Sequence, residues 1–101
     1  MQRITTQATC PVSESNKVTI AKGPGAVMGI GHPKNVGSCT IYLASYESNG
    51  RNIDQCKHIE LHPGQGTDWY YPLPGTSFIY MVCHKDCQGG TAILEYDAPV
   101  S

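Results

Sequence analysis

Residues 77–96, SFIYMVCHKDCQGGTAILEY, hold the densest apolar pattern in the chain, and the fold turns on how they pair. Phe78, Tyr80 and Val82 alternate with Ile79, Met81 and Cys83, so both faces of this segment are apolar, as in a strand covered on both sides. Its β-branched and aromatic content favours a strand over a buried helical turn. Residues 84–90, HKDCQGG, break the pattern and end in two glycines suited to a turn. Beyond them Ala92, Leu94 and Tyr96 share one face, and Thr91, Ile93 and Glu95 the other. The pattern predicts a hairpin, two strands folded against each other around a polar tip, with the rest of the chain packed on it.

Outward from that stretch the signals are short strands separated by turns. Residues 17–21, KVTIA, place Val18 and Ile20 on one face, and KGPG at 22–25 is a turn by composition. AVMGI at 26–30 reads as a strand in which Gly29 marks a bulge or a close backbone approach, and GHPKNVG at 31–37 reads as a loop. In SCTIYLA, 38–44, Cys39, Ile41 and Leu43 face one way and Thr40 and Tyr42 the other. The polar stretch 45–54 contains the turn dipeptide Asn49-Gly50, and a strand returns at 56–61 with Ile59 and Leu61 opposite His58 and Glu60. Residues 68–71 pair briefly before PLPG at 72–75, and the tail leaves the sheet at Pro99.

About seven short strands at this spacing predict an all-β fold, a single-domain antiparallel β-sandwich or jelly roll. Residues 1–16 are polar and without sustained periodicity, an arm or an edge strand. The expected division is an N-terminal arm at 1–16, a β-sandwich domain at 17–97 and a C-terminal tail at 98–101.

A chain of 101 residues has room for one domain with a modest core. Lys and Arg total 7 against 8 Asp and Glu, so no positive excess exists to neutralise a phosphate backbone, and nucleic acid is not an expected partner. No apolar run approaches the roughly 20 residues that span a bilayer, so no membrane partner is expected. The first 15 residues lack the apolar core of a signal peptide, and Met1 fits synthesis in a cytoplasm or a replaced leader.

Five cysteines, Cys10, Cys39, Cys56, Cys83 and Cys87, are the first chemical candidates. Cys83 and Cys87 bracket the polar tip as C-x3-C, and two residues flanking a hairpin turn can approach to bridging distance. They are the leading disulfide candidates, paired with each other, with Cys39 to Cys56 a weaker second pair. Zinc on Cys83, Cys87 and His84 would need a ligand from elsewhere, and a second closely spaced ligand pair is missing, so no metal and no cofactor is expected. His58, Glu60 and His62 share a strand face and read as an exposed polar row; Cys56 beside His58 lacks the oxyanion donors of a nucleophile. No acid, base and nucleophile converge, so the chain is expected not to be an enzyme. Trp69, Tyr70 and Tyr71, beside prolines, are the expected interface residues, while Tyr80 and Tyr96 are expected in the core.

The order GPGAVMGI at 23–30, CTIYL at 39–43, IELHPG at 59–64, LPGTSF at 73–78 and GTAILEY at 90–96 resembles small all-β proteins of tailed bacteriophages, several of which decorate or cement the capsid. The resemblance implies a noncatalytic virion structural protein made in the host cytoplasm, with the major capsid protein as partner. It also implies a homotrimer whose residues 1–16 and tail from Asp97 reach neighbouring chains. The alternative expectation is a carbohydrate-binding or adhesion module using the aromatic patch.

Overall fold

The computed structural model describes residues 2–10, 18–23, 28–53 and 59–98. Their apolar alternation resolves into β1 (Gln2–Thr9), β2 (Val18–Lys22), β3 (Ile30–Asn35), β4 (Ile41–Tyr46), β5 (Ile59–Leu61), β6 (Trp69–Tyr70), β7 (Phe78–Cys83) and β8 (Thr91–Ala98). Two antiparallel sheets result, ordered β1-β8-β3-β6 and β2-β7-β4-β5. The pairs β1/β8, β2/β7, β3/β6 and β4/β5 are those of a long ribbon folded at its middle and then wound up, which is the winding of an eight-stranded jelly roll. The expected all-β sandwich is thus what the chain forms. Among the described residues no helix is long and apolar enough to cross a membrane.

One contiguous core fills the space between the layers. Ile30, Tyr70, Leu94 and Tyr96 come from the first sheet, and Ile20, Ile41, Leu43, Ile79 and Met81 from the second. Each such side chain contributes roughly 1.5–3 kcal/mol on burial. Buried polar groups tie the same layers together. Asn35 is fully buried, and its Nδ2 donates to Cys39 O at 2.7 Å and to Leu61 O at 2.8 Å, while its Oδ1 accepts from Gly37 N at 3.0 Å. The Tyr96 hydroxyl donates to Ile20 O at 3.2 Å, and the hydroxyls of Ser45 and Tyr70 bond at 3.1 Å. These bonds satisfy groups that would cost about 1–3 kcal/mol each if buried alone.

The winding corrects the hairpin expected at 77–96. β7 lies in one sheet and β8 in the other, so the two strands are not paired; β7 pairs with β2 and β4, and β8 with β1 and β3. Residues 84–90 are a crossover between layers. The double-sided apolar pattern of β7 has a matching cause. Ile79 and Met81 point into the core, while Phe78 and Tyr80 stack on the outer face with ring centroids 5.7 Å apart, and Tyr46 meets Tyr80 edge-on at 4.8 Å. Tyr96 is core as expected; Tyr80 is half-buried on that outer face instead.

Three boundaries also move. Residues 31–35, expected in a loop, are most of β3, because a register shift between Gly31 and Lys34 accommodates Pro33, which has no N–H to give a ladder. Gly29 does mark a close approach: at φ +80° it leaves room for the Tyr70 carbonyl where a Cβ would collide. Residues 2–9, read as an arm or an edge strand, form the edge strand β1 and not an arm, paired with β8 along its whole length from Gln2↔Ala98 to Thr9↔Thr91. Ile4, Thr6 and Ala8 are its inward side chains, too small and polar a set to stand out in sequence. Asp97 and Ala98 likewise belong to the sheet, not to a tail. Of the strands expected at 26–30 and 56–61, residues 26–27 and 56–58 lie outside the described residues, and of 28–30 only Ile30 is strand, the first residue of β3.

Because β1 covers one flank of β8 and buries Ile4 and Ala8 against the core, it is part of the fold. Deleting residues 1–9 is expected to abolish cooperative unfolding, measured by urea denaturation followed by far-ultraviolet circular dichroism. A truncated chain unfolding at an unchanged midpoint would restore the arm.

Candidate functional site

The pairing registers place Arg3, Asp97, Gly31 and Trp69 in one row across β1, β8, β3 and β6, on the outer face of the first sheet. Gly31 supplies no side chain, and the Trp69 indole occupies the gap: a Cβ on Gly31 would lie 2.9 Å from its Cζ3 and 3.2 Å from the Asp97 Cβ. The indole Nε1 donates to Met28 O at 2.9 Å, which fixes the ring flat on the strand. Tyr71, 70% exposed, extends this platform, with its ring centroid 6.2 Å from that of Trp69 and the planes 40° apart.

Charged groups rim the platform. Arg3 Nη1 donates to His32 O at 3.0 Å and to Asp97 Oδ1 at 3.3 Å, and Arg3 Nη2 lies 3.8 Å from Glu95 Oε1. His32 Nδ1 is 3.1 Å from Asp97 Oδ2, and its backbone N–H donates to Asp68 O at 2.9 Å. These contacts hold His32 at φ 48°, a left-handed backbone that costs a non-glycine residue about 1–3 kcal/mol. The bond from His32, and after it the bond and the charge of Arg3, hold the Asp97 carboxyl below the usual carboxylate range. Beside this cluster lies a shallow groove of about 300 Å³ lined by Arg3, His32, Pro33, Lys34, Thr67 and Asp68. An aromatic surface of two tilted rings next to a groove with both donors and acceptors can stack on an apolar ring face or a partner side chain while fixing polar groups beside it.

Of the aromatic trio expected at an interface, Tyr71 is exposed, Trp69 is half-buried with its outer edge available, and Tyr70 is not at the surface. Strand alternation turns Tyr70 inward, where it is 3% exposed and bonded to Ser45. Arg3, His32 and Lys34, which line the groove, were not singled out in sequence, because their strands read as an arm or edge strand and as a loop. His62 Nε2 lies 2.9 Å from Glu60 Oε1, and His62 Nδ1 lies 3.2 Å from Thr40 Oγ1. Cys56 and His58 lie outside the described residues.

The cysteines gather elsewhere, at the end of the sandwich where β1 leaves for β2, β3 for β4 and β7 for β8. Cys83 and Cys87 are both bridged, but not to each other: the disulfides are Cys10–Cys83 and Cys39–Cys87, with Cα–Cα distances of 5.9 and 5.8 Å. The reason is the crossover. Since residues 84–90 do not close a hairpin, Cys83 faces inward at the end of β7 toward Cys10, just past β1 of the opposite sheet, and Cys87 meets Cys39 in the next crossing loop. The weaker expected pair, Cys39 with Cys56, is replaced in the same way.

No protein-family model, curated protein or solved structure matches the chain.

Two outcomes are expected. Bridges spanning 73 and 48 residues each constrain the unfolded chain by about 4 kcal/mol on the chain-entropy relation. Cys10→Ser and Cys83→Ser should therefore lower the denaturation midpoint strongly and equally, and non-reducing peptide mapping should return Cys10–Cys83 and Cys39–Cys87 fragments; a Cys83–Cys87 fragment would contradict the topology. For Asp97, a folded-state pKa below the unfolded one gives stability that is present above the unfolded value, near 3.9, and lost as pH falls through the folded value. Asp97→Asn should flatten that acid limb of the stability profile, read from thermal melts between about pH 2 and pH 5.

Proposed function

We propose that the protein is a noncatalytic structural protein of a bacteriophage particle, a capsid decoration or cement protein that binds the head shell as a homotrimer. The observation that carries this reading is the preformed aromatic platform of Trp69 and Tyr71 on the outer face of a stapled jelly roll. The jelly roll is an architecture that viral capsid and lectin domains use, which supports the reading as fold-level analogy. Rings held on strands lose little entropy on contact, so a small interface can be effective when repeated over many equivalent sites on a shell. Disulfides persist on particle surfaces, outside reducing compartments. Attachment is assigned to this face and its groove, since residues 2–9 are committed to the sheet.

A second reading is favoured by one detail of the same face. The rings of Trp69 and Tyr71 diverge by 40° beside Asp68 and Arg3, an arrangement suited to stacking on a sugar and bonding its hydroxyls. That would make the chain a carbohydrate-binding or adhesion module.

Tyr71→Ala separates platform from fold, because Tyr71 is largely exposed whereas Trp69 is wedged against Gly31. The variant should keep the wild-type melting temperature and lose roughly 30-fold in affinity for purified heads, the scale of an aromatic hot spot. Cosedimentation with heads lacking the protein measures it. Undiminished attachment removes the platform, absence of the protein from purified virions removes the virion reading, and Tyr71-dependent binding on a glycan array selects the second.

A further inference from the structure

The two disulfides are neighbours. Sγ atoms of Cys10, Cys39 and Cys87 lie within 4.8 Å of one another, and Cys83 Sγ, at the end of β7, is bonded to that of Cys10, so three sulfurs cluster and the fourth is one bond away. We propose that, once both bridges are reduced, Cys10, Cys39, Cys83 and Cys87 form a tetrahedral thiolate site for one zinc ion, so that this end of the sandwich is closed by disulfides when oxidised and by metal when reduced.

Three observations carry it. The first is distance: a zinc tetrathiolate has Zn–S bonds of about 2.3 Å and therefore S···S edges of about 3.8 Å, close to the spacing of the Cys10, Cys39 and Cys87 sulfurs, and Cys83, joined to Cys10, completes the set by rotating its side chain once the bridge opens. The second is a frame that does not depend on the S–S bonds. Cys10 N donates to Gly90 O at 2.8 Å and Gly89 N to Cys10 O at 3.0 Å; His84 N donates to Thr40 O at 2.9 Å, and Cys87 N to His84 O at 3.0 Å. These bonds join the loops that carry the cysteines to one another with the bridges open. Gly90 belongs to this frame, since a Cβ there would collide with the Cys39 Sγ and meet that of Cys87 at 3.0 Å. The third is electrostatic. Cys10 and Cys39 are 2% and 1% exposed, so a reduced cluster would hold thiolates away from water, and a divalent cation is the compensation such a group calls for. Cys83-x3-Cys87 has zinc-turn spacing, and the second ligand pair that the sequence lacks comes from Cys10 and Cys39 in two other loops.

The chemistry balances with a dithiol reductant. Each bridge takes two electrons and two protons from one dithiol, which leaves as its own disulfide, and zinc then displaces up to four protons from the thiols to solvent. The Cys39–Cys87 bridge lines an open cavity of about 210 Å³ with Ser38, Thr40, His84 and Asp86, which gives the reductant access.

The test uses the full chain, reduced with excess dithiol, freed of reductant without oxygen and titrated with Co²⁺ and then Zn²⁺. The expected result is one Co²⁺ per chain with the charge-transfer and ligand-field bands of a tetrahedral sulfur site, displaced by Zn²⁺, with the β-sheet circular dichroism retained; the oxidised protein binds none. Cys39→Ser should lose the four-sulfur spectrum and Cys56→Ser should keep it. Should Cys39→Ser not fold, X-ray absorption of the zinc-loaded wild type counts the ligands, four sulfurs being expected. Substoichiometric uptake, uptake accompanied by loss of the sheet signal, fewer than four sulfurs, or dependence on Cys56 would each overturn the site.

Discussion

The stapling of three crossing loops at one end of the sandwich is the constraint on which the rest of the structure depends. In a wound ribbon β4 and β5 are consecutive strands that share a sheet, whereas β1 and β2, β3 and β4, and β7 and β8 are divided between layers. A hydrogen-bonded ladder therefore cannot hold these consecutive strands together. Cys10–Cys83 and Cys39–Cys87 instead tie the ends of these crossings to one another covalently, joining positions 73 and 48 residues apart. A domain of this size buries a modest core, and long covalent loops offset the conformational entropy that such a core leaves uncompensated.

The buried polar groups play the complementary part inside the layers. Asn35 saturates both amide hydrogens on backbone carbonyls, one in β5 and one in the turn before β4, and it does so from β3 of the opposite sheet. An apolar residue of similar size would leave those carbonyls dry. Such bonds specify how the sheets sit on each other, where apolar packing alone tolerates sliding.

The outer face of the first sheet shows how register makes a surface. Arg3, Asp97, Gly31 and Trp69 come from four strands scattered through the chain, and only their alignment in one row lets the indole lie in the space left by Gly31 beside an ion pair. The resulting platform is rigid because each member is held by a different neighbour. That rigidity is what makes a contact surface of a few side chains useful for recognition.

The all-β class, the positions of most strands and the inward faces of β4 and β8 were legible in the sequence, because alternation with period two is a local property of the chain. So was the exposure of Tyr71 beside a proline turn. The sequence left β1 undecided between arm and edge strand, because its inward residues Ile4, Thr6 and Ala8 carry little hydrophobic signal, and it did not reveal β3, whose Gly and Pro content matches a loop. Nor did it decide which strands pair, since pairing depends on how the ribbon winds and not on any one segment. That winding placed β7 and β8 in different sheets, turned a supposed hairpin clamp into two bridges between distant loops, and turned Tyr70 into the core. Local chemistry decided which residues prefer to be strands; the meeting of four cysteines, and of Arg3 with Trp69, was decided only in three dimensions, because contacts across a jelly roll are made between residues that the chain itself keeps far apart.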